Sequence, residues 1–418
     1  MTMERVEAGG QDVFDVPAVY LERYADLLVN FALGGGMGIR RGDVVQVVAT
    51  ESAKPLFGEL CRAVWAAGGH VLRDYRPDDD KRLNLTRDFY EIAGTDQHGF
   101  FPAQYFRGVI DQIDHFVYVH CEADPHALRD VDPAKLYTHQ RSYAPMVRWE
   151  TAKESAGKLT WTIGLYGTEA MATEAGLSLP DYWQQIISAC FLDDPDPKAR
   201  WRAVGEQLQR YTEALNALPI DRLHVEGPDA DLWLTLGEKR RWTAGEGRNI
   251  PSFEIFTSPD WRGTQGWIRF SEPLYTSQTL INGIELAFEN GVVTRASAAE
   301  NEELLLEMLA TENANRVGEF SLTDGRLSPI THFMATTLFD ENMGGPFGNT
   351  HLAVGKAIQH CYDGDPEALS SEDWERLGFN DSVVHTDIVS TTDREVTAVM
   401  RDGSQRTIYA AGQFQLDV

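Results

Sequence analysis

The chain changes texture once along its length, and that change limits its fold more than any other feature. In the first half, helical and extended patterns alternate. Tyr20, Tyr24, Leu27, Leu28 and Phe31 recur at helical spacing, and Val44-Val-Gln-Val-Val48 follows as a strand. Residues 55–67 then read as a helix and Val71-Leu72 as the core of another strand. Phe116-Val-Tyr-Val119 and Leu159-Thr-Trp-Thr-Ile163 supply two more strands. A strand–helix–strand rhythm implies a mainly parallel sheet covered by helices. Asp193-Asp-Pro-Asp-Pro197 is the clearest break, and a helix marked by Trp201, Val204, Leu208, Tyr211 and Leu215 follows it. Beyond that point strands dominate. Glu285–Thr294 reads as a hairpin about Asn290-Gly291, Asp402-Gly403 marks another turn, and one helix, around residues 299–310, interrupts them. The expectation is an α/β N-terminal domain with a mainly parallel sheet over residues 1–195. A strand-rich α+β C-terminal domain with mixed or antiparallel sheet follows over residues 196–418.

Composition narrows the function classes. With 43% hydrophobic and 24% charged residues, the chain is that of an ordinary globular protein. Its formal net charge of -27 repels nucleic acid and anionic membranes, and favours cationic ligands such as a peptide's free α-ammonium. Solubility alone explains the same charge. Cys61, Cys121, Cys190 and Cys361 are scattered without CxxC spacing, which argues against a disulfide framework and a cysteine zinc site. The start, Met1-Thr-Met-Glu-Arg-Val-Glu, has no basic region followed by an apolar one, and no apolar run approaches a membrane span. The cytoplasm is the expected location. Gly34-Gly-Gly-Met-Gly38 follows a helix and precedes a strand, the reverse of a phosphate loop, so it reads as a helix-ending turn.

The run Val383-Val-His-Thr-Asp-Ile-Val389 reads as a buried strand that carries two ionisable groups. Strand alternation puts His385 and Asp387 on one face, roughly 7 Å apart at the backbone. An imidazole and a carboxylate converging from one face are natural ligands for a divalent metal. Three more candidates lie upstream, Glu254, Glu319 and His351. Taken singly, each has an ordinary explanation: a solvent-facing strand residue, a turn residue after Gly318, a hydrogen-bonded core histidine. Together they make three carboxylates and two histidines, enough for two metal ions. Asp340-Glu341-Asn342 lies between Glu319 and His351, and reads equally as second-layer support, a general base or an ordinary loop. Lys239-Arg-Arg241 reads as a solvated turn or as a contact for a peptide carboxylate, and the remaining histidines as structural or surface residues.

At these residues the chain resembles the aminopeptidase T and aminopeptidase S family of dinuclear metallopeptidases, with its thermophilic metalloprotease-like fold. The resembling segments are Asn249–Pro259, Gly318-Glu319, Thr337–Asn342, His351-Leu-Ala-Val-Gly355 and Val384-His-Thr-Asp387, in order across the C-terminal half. A weaker resemblance runs through the N-terminal half, around Thr173–Ser178. The resemblance implies a metal-dependent aminopeptidase that releases N-terminal residues from peptides by a metal-activated water. It implies two divalent ions, zinc first and cobalt, manganese or magnesium as alternatives, held by Glu254, Glu319, His351, His385 and Asp387. Glu319 would bridge them and act as a catalytic residue. It also implies a homodimer that takes peptides with a free N-terminus.

One departure stands out. The family reads Gly-x-Ala-Tyr after the His351 segment, with a tyrosine that assists catalysis, whereas this chain reads Gly355-Lys-Ala-Ile358. In a helical segment Tyr362 would lie one turn along on the same face and could replace that tyrosine; His360 is a further candidate beside it. Two other readings stay open. His351, His385 and Asp387 alone form a two-histidine, one-carboxylate set, the holder of a single non-haem iron in ring-cleaving dioxygenases of related fold. A catalytically weak, peptide-binding relative is the third reading, motivated by Ile358.

Overall fold

The computed structural model describes residues 6–8, 11–79, 82–128, 131–245, 249–276 and 279–418. The chain divides into two compact units, Met1–Ala203 with Glu246–Ser252, and Val204–Gly245 with Phe253–Val418.

In the first unit, strands β1 (Val44–Thr50), β2 (His70–Arg76), β3 (His115–His120) and β4 (Thr160–Leu165) form a parallel sheet in the order β2-β1-β3-β4. Helices α1 (Ala18–Leu27), α2 (Lys54–Ala66), α3 (Ala103–Gln112) and α4 (Ala144–Ser155) belong to this unit. The parallel sheet follows from strands that each need a crossover before the next can pair. Alternation sorts the residues: Val45, Val47, Val117 and Val119 are buried, while Gln46, Phe116 and Tyr118 on the other face are only partly covered. The α2 crossover buries Leu56, Leu60, Cys61 and Val64. As expected, the glycine run forms a turn after the first helical segment. Gly34, Gly35, Gly36 and Gly38 have positive φ, and a Cβ on Gly38 would sit 2.7 Å from the Asn30 backbone. His115 is structural. Its Nε2 lies 2.9 Å from Asp43 and its Nδ1 2.7 Å from the Thr160 hydroxyl, which accepts the Gly34 N–H at 2.9 Å.

The second unit is antiparallel. An eight-stranded sheet runs from Val292–Ser297 at one edge to Gln413–Phe414 at the other. Its hairpin turns at Asn290 (φ 50°) and Gly291 (φ 82°), the two positive φ values a type I′ turn requires. The expected helix near 299–310 is Glu302–Ala310. A five-stranded sheet carries the residues of interest. Its strands are β5 (Thr243–Ala244), β6 (Glu254–Thr257), β7 (Val317–Thr323), β8 (Asn349–Gly355) and β9 (His385–Ser390), in the order β9-β8-β7-β6-β5.

The strand expected over Val383–Val389 is corrected at its start. It begins at His385, and only Ile388–Ser390 are fully buried. The Val384 carbonyl accepts the Lys356 N–H at 2.7 Å, and a Cβ on Gly355 would lie 2.0 Å from that oxygen. The chain there is turning onto the sheet edge rather than running along it. Among the described residues, no helix is long and apolar enough to cross a membrane.

Candidate metal centre

Strand register brings the five candidates to one face. Glu319 is paired with Ala353, and Ala353 with Asp387, so the three share a face across β7, β8 and β9. His351 and His385 lie two residues from Ala353 and Asp387, hence on that same face. Ser321, two residues beyond Glu319, pairs with His351 on one side and with Phe256 on the other, which puts Glu254 there as well. The middle position is small. Adjacent strands stand about 4.8 Å apart, and Ala353 leaves Glu319 and Asp387 room to lean over β8 towards each other. Gly318 sits at the irregularity just before Glu319, where a Cβ would meet the Lys356 carbonyl at 2.3 Å.

The side chains meet in two overlapping groups. Ligand atoms of Glu254, Glu319 and His351 lie within 4.8 Å of one another, and so do those of Glu319, His385 and Asp387; Glu319 belongs to both. His351 Nε2 is 3.2 Å from Glu254, 3.5 Å from Glu319 and 3.7 Å from Asp387. His385 Nε2 is 3.6 Å from both Glu319 and Asp387. The His385 Nδ1–H donates to the Lys356 carbonyl at 2.7 Å, which leaves the Nε2 lone pair facing the carboxylates. The Ser321 hydroxyl donates to Glu254 at 3.0 Å.

Electrostatically this is an unfavourable arrangement for the protein alone. Burial, reinforced by the charges of Asp387 and Glu254, pushes Glu319 up to about 7. Burial opposes the protonation of His385, but Asp387 and Glu319 outweigh it and raise the imidazole to about 9. For His351 likewise, the surrounding carboxylates overcome burial and lift it well above its usual value. Burial also works against ionising Asp387, and the His385 imidazole outweighs it and holds that carboxyl below its usual range. Yet His351 Nδ1 and Nε2 and Asp387 Oδ1 are buried without a hydrogen-bond partner. Buried polar atoms without a hydrogen-bond partner are costly unless something else satisfies them.

The neighbouring segments pack around these residues. Asn342 accepts the Phe253 N–H at 2.6 Å and donates to the Leu338 carbonyl, tying the 338–342 segment to the start of β6. Asp340 accepts the N–H groups of Met334 and Thr336, so it is a local cap. Glu341 is buried beside the cluster, and burial with the charges of Glu254 and Asp387 raises its carboxyl well above the usual range. Arg240 donates to the carbonyls of Ser258, Glu238 and Leu377 and lies 3.6 Å over the Phe379 ring. Its guanidinium is thereby committed to three backbone carbonyls.

Tyr362 requires a correction. The segment after Gly355 is not an α-helix but a coil with a single 3₁₀ turn, Gln359–Cys361, so the one-turn relation to position 358 does not arise. The Tyr362 ring packs in an apolar cluster with Phe256, Leu377 and Phe379, and its hydroxyl accepts from Lys239 at 3.3 Å. The contact its hydroxyl makes is with Lys239. Ile358 packs against that same cluster, with its N–H donating to the Ser258 hydroxyl at 2.8 Å.

Ser321 and Ala353 were not singled out in the sequence. Period-two spacing puts Ser321 on the face of Glu319 and Ala353 on the face of His351, but does not say what each lies against across the sheet. Arg394 carried no such signal. Fully buried, it donates to Asp229 at 3.0 Å and to Thr350 at 2.8 Å, and so supports β8 beside His351.

The sequence matches the profile of the thermophilic metalloproteases (M29) over residues 18–414. The chain belongs to the thermophilic metalloprotease (M29) family. Aminopeptidase T of Thermus thermophilus is 30% identical over 417 residues, covering 94% of this chain and 98% of the relative. Among solved structures, wild-type AmpT from Thermus thermophilus superposes with a TM-score of 0.80 at 26% identity, covering 95% of this chain and 99% of that one. A 2,5-dihydroxypyridine dioxygenase from Pseudomonas putida KT2440 reaches a TM-score of 0.51 at 13% identity, covering 95% and 96%, and shares the fold alone. Membership of a metalloprotease family implies a divalent metal. The residues present fit one: two donor groups, each with a histidine, and orphaned buried donor atoms on His351 and Asp387.

Proposed function

We propose that this protein is a metal-dependent aminopeptidase whose C-terminal domain, residues 196–418, holds two divalent ions on one face of the five-stranded sheet. The observation that carries this reading is the pair of donor groups that share Glu319. Glu254, Glu319 and His351 would hold one cation, and Glu319, His385 and Asp387 the other. Bound there, the cations would supply the charge that acidifies a water and polarises the scissile carbonyl.

The chain's own residues set the stage for that chemistry. Glu319 spans both groups with its two carboxylate oxygens. Ser321 holds one oxygen of Glu254. The Lys356 carbonyl fixes the tautomer of His385. The net charge of -27 draws a peptide's free α-ammonium towards the protein and disfavours anionic substrates. Imidazole and carboxylate donors suit zinc, and cobalt, manganese or magnesium fit the oxygen-rich set as well. The resemblance to the aminopeptidases supports a homodimer, and the cytoplasm is the location this reading takes.

A single-iron dioxygenase would use His351, His385 and Asp387 and leave Glu254 and Glu319 buried without a cation. The donor grouping favours the peptidase. Turnover of leucine or aromatic aminoacyl amides, set beside their N-acetylated counterparts, tests the proposal. The expected result is metal-dependent release from the unblocked substrates only. Equal cleavage of the acetylated ones, or no cleavage of either after metal loading, would contradict it.

A further inference from the structure

The rows of the five-stranded sheet give the candidate metal face a direction. Along β8 the residues on that face are Asn349, His351, Ala353 and Gly355, and each marks one row. In the first row Asn349 pairs with Thr323, and Thr323 with Glu254. Glu319 and Asp387 flank Ala353 in the third, and His385 pairs with Gly355 in the last. The first row is closed: Thr323 and Asn349 are fully buried and Glu254 is 7% exposed. The last row is open, with the His385 side chain 29% exposed.

Glu341 stands at the closed end. It follows the short helix Thr337–Asp340, and its carbonyl accepts the Asn349 Nδ2 at 2.9 Å. Asn349 also donates to the Met343 carbonyl at 2.7 Å, which fixes its amide and leaves Oδ1 over. That oxygen is buried without a hydrogen-bond partner. The Glu341 carboxylate is close enough to Glu254, Asp387, His351 and Glu319 to feel each of their charges, yet it belongs to neither donor group. Its side-chain hydrogen bond is a long one, 3.4 Å from the Asn342 amide, and among the described residues it forms no salt bridge. A carboxylate and an amide oxygen, both buried and short of donors, suit a group that brings several N–H donors and a positive charge.

We propose that Glu341 and the Asn349 Oδ1 receive the α-ammonium of the substrate, so that a peptide enters past His385 and its N-terminus stops at the Glu254 row. The assignment rests on the aminopeptidase reading. The scissile carbonyl, separated from that nitrogen only by Cα, then lies over the donor group of Glu254, Glu319 and His351. An acetylated or internal nitrogen carries no charge and fewer donors, and would leave Glu341 buried and unpaired. The closed end therefore discriminates as well as holds.

Calorimetric titration of the full-length, metal-loaded protein with L-leucinol and with 4-methylpentan-1-ol, which lacks only the amine, tests this. The natural protein is expected to bind leucinol at least about tenfold more tightly. In Glu341→Gln, leucinol should weaken by roughly ten- to a hundredfold and the amine-free alcohol should change little. The variant should keep the metal content of the natural protein, and its KM for leucinamide should rise by more than its kcat changes. No preference for leucinol in the natural protein, unchanged leucinol affinity in Glu341→Gln, an equal loss for both alcohols, or a metal ion lost from the variant would each overturn the assignment. Leucinamide hydrolysis by the natural protein reports separately on the aminopeptidase reading, so hydrolysis with unchanged leucinol binding in the variant strikes Glu341 alone. If the variant does not fold, crystals of the natural protein soaked with leucinol decide. A nitrogen within hydrogen-bond distance of Glu341 supports the assignment, and a nitrogen anywhere else overturns it.

Discussion

In the parallel sheet, β1 and β3 bury Val45, Val47, Val117 and Val119, whereas β6, β7 and β8 of the five-stranded sheet bury Glu254, Glu319 and His351 to a similar depth. The first set stabilises the fold through the area it removes from water. The second set has the opposite effect, because each ion taken out of water costs several times what a single hydrogen bond returns. Strand alternation places both sets, so the geometry is the same and only the side chains differ. The lesson is that burial of the four valines adds to stability, whereas burial of Glu254, Glu319 and His351 is costly unless something at the site offsets it.

Substitution among the five candidate ligands should therefore remove activity and spare the fold. For Asp387→Ala the expected outcome is a loss of at least roughly a thousandfold in kcat/KM, with weaker metal binding and a retained circular dichroism spectrum. Full metal occupancy with natural turnover in that variant would remove Asp387 from the site. Substitution in the first unit should do the reverse. Leu60→Ala, in the fully buried face of α2, is expected to cost about 2–5 kcal/mol of stability by denaturant titration. Its kcat per folded molecule should not change.

Much of this contrast was legible in the sequence, and the part that was not has a physical reason. The four parallel strands and α2 show in local apolar patterns, strongest at Val44–Val48 and weakest at Val71-Leu72. The five candidate residues show as ionisable groups in strand-like surroundings. The roles of Ala353 and Ser321 depend on register between strands some 30 residues apart, which alternation within one strand cannot reveal. Val383 and Val384 look like strand on propensity, yet the chain turns at Gly355 and pairing starts at His385. Tyr362 looks well placed only if a helix follows Gly355. A 3₁₀ turn there rotates it into the apolar cluster.

That correction makes position 358 a sharper test. If the natural protein lacks the hydrogen-bond donor that a tyrosine there would provide, Ile358→Tyr should raise kcat by up to roughly a hundredfold. Tyr362→Phe should leave kcat nearly unchanged and cost about 1 kcal/mol of stability, the value of its bond to Lys239. A large fall in kcat for Tyr362→Phe would return that tyrosine to the reaction.

The smallest expected effect is on pH. In the metal-free protein Glu319 is raised from the usual 4.5 to about 7. Its contribution to stability is therefore full below about pH 4.5 and lost as pH rises through about 7. His385, raised from 6.5 to about 9, adds a loss in the same direction between those values. Metal-free protein should weaken steadily from about pH 4.5 to about 9, and Glu319→Gln should flatten the lower part of that decline. Thermal melts of the two proteins across this range check it. A metal-free protein that gains stability with rising pH, with no difference between natural protein and variant, would contradict the buried-charge account.

The decisive property of the five-stranded sheet is how many ions it holds and where. Crystals of the metal-loaded protein measured for anomalous scattering should show two sites per chain, both in contact with Glu319, one beside His351 and one beside His385. A single tightly bound ion held by His351, His385 and Asp387, with Glu254 and Glu319 free of metal after loading, would contradict it.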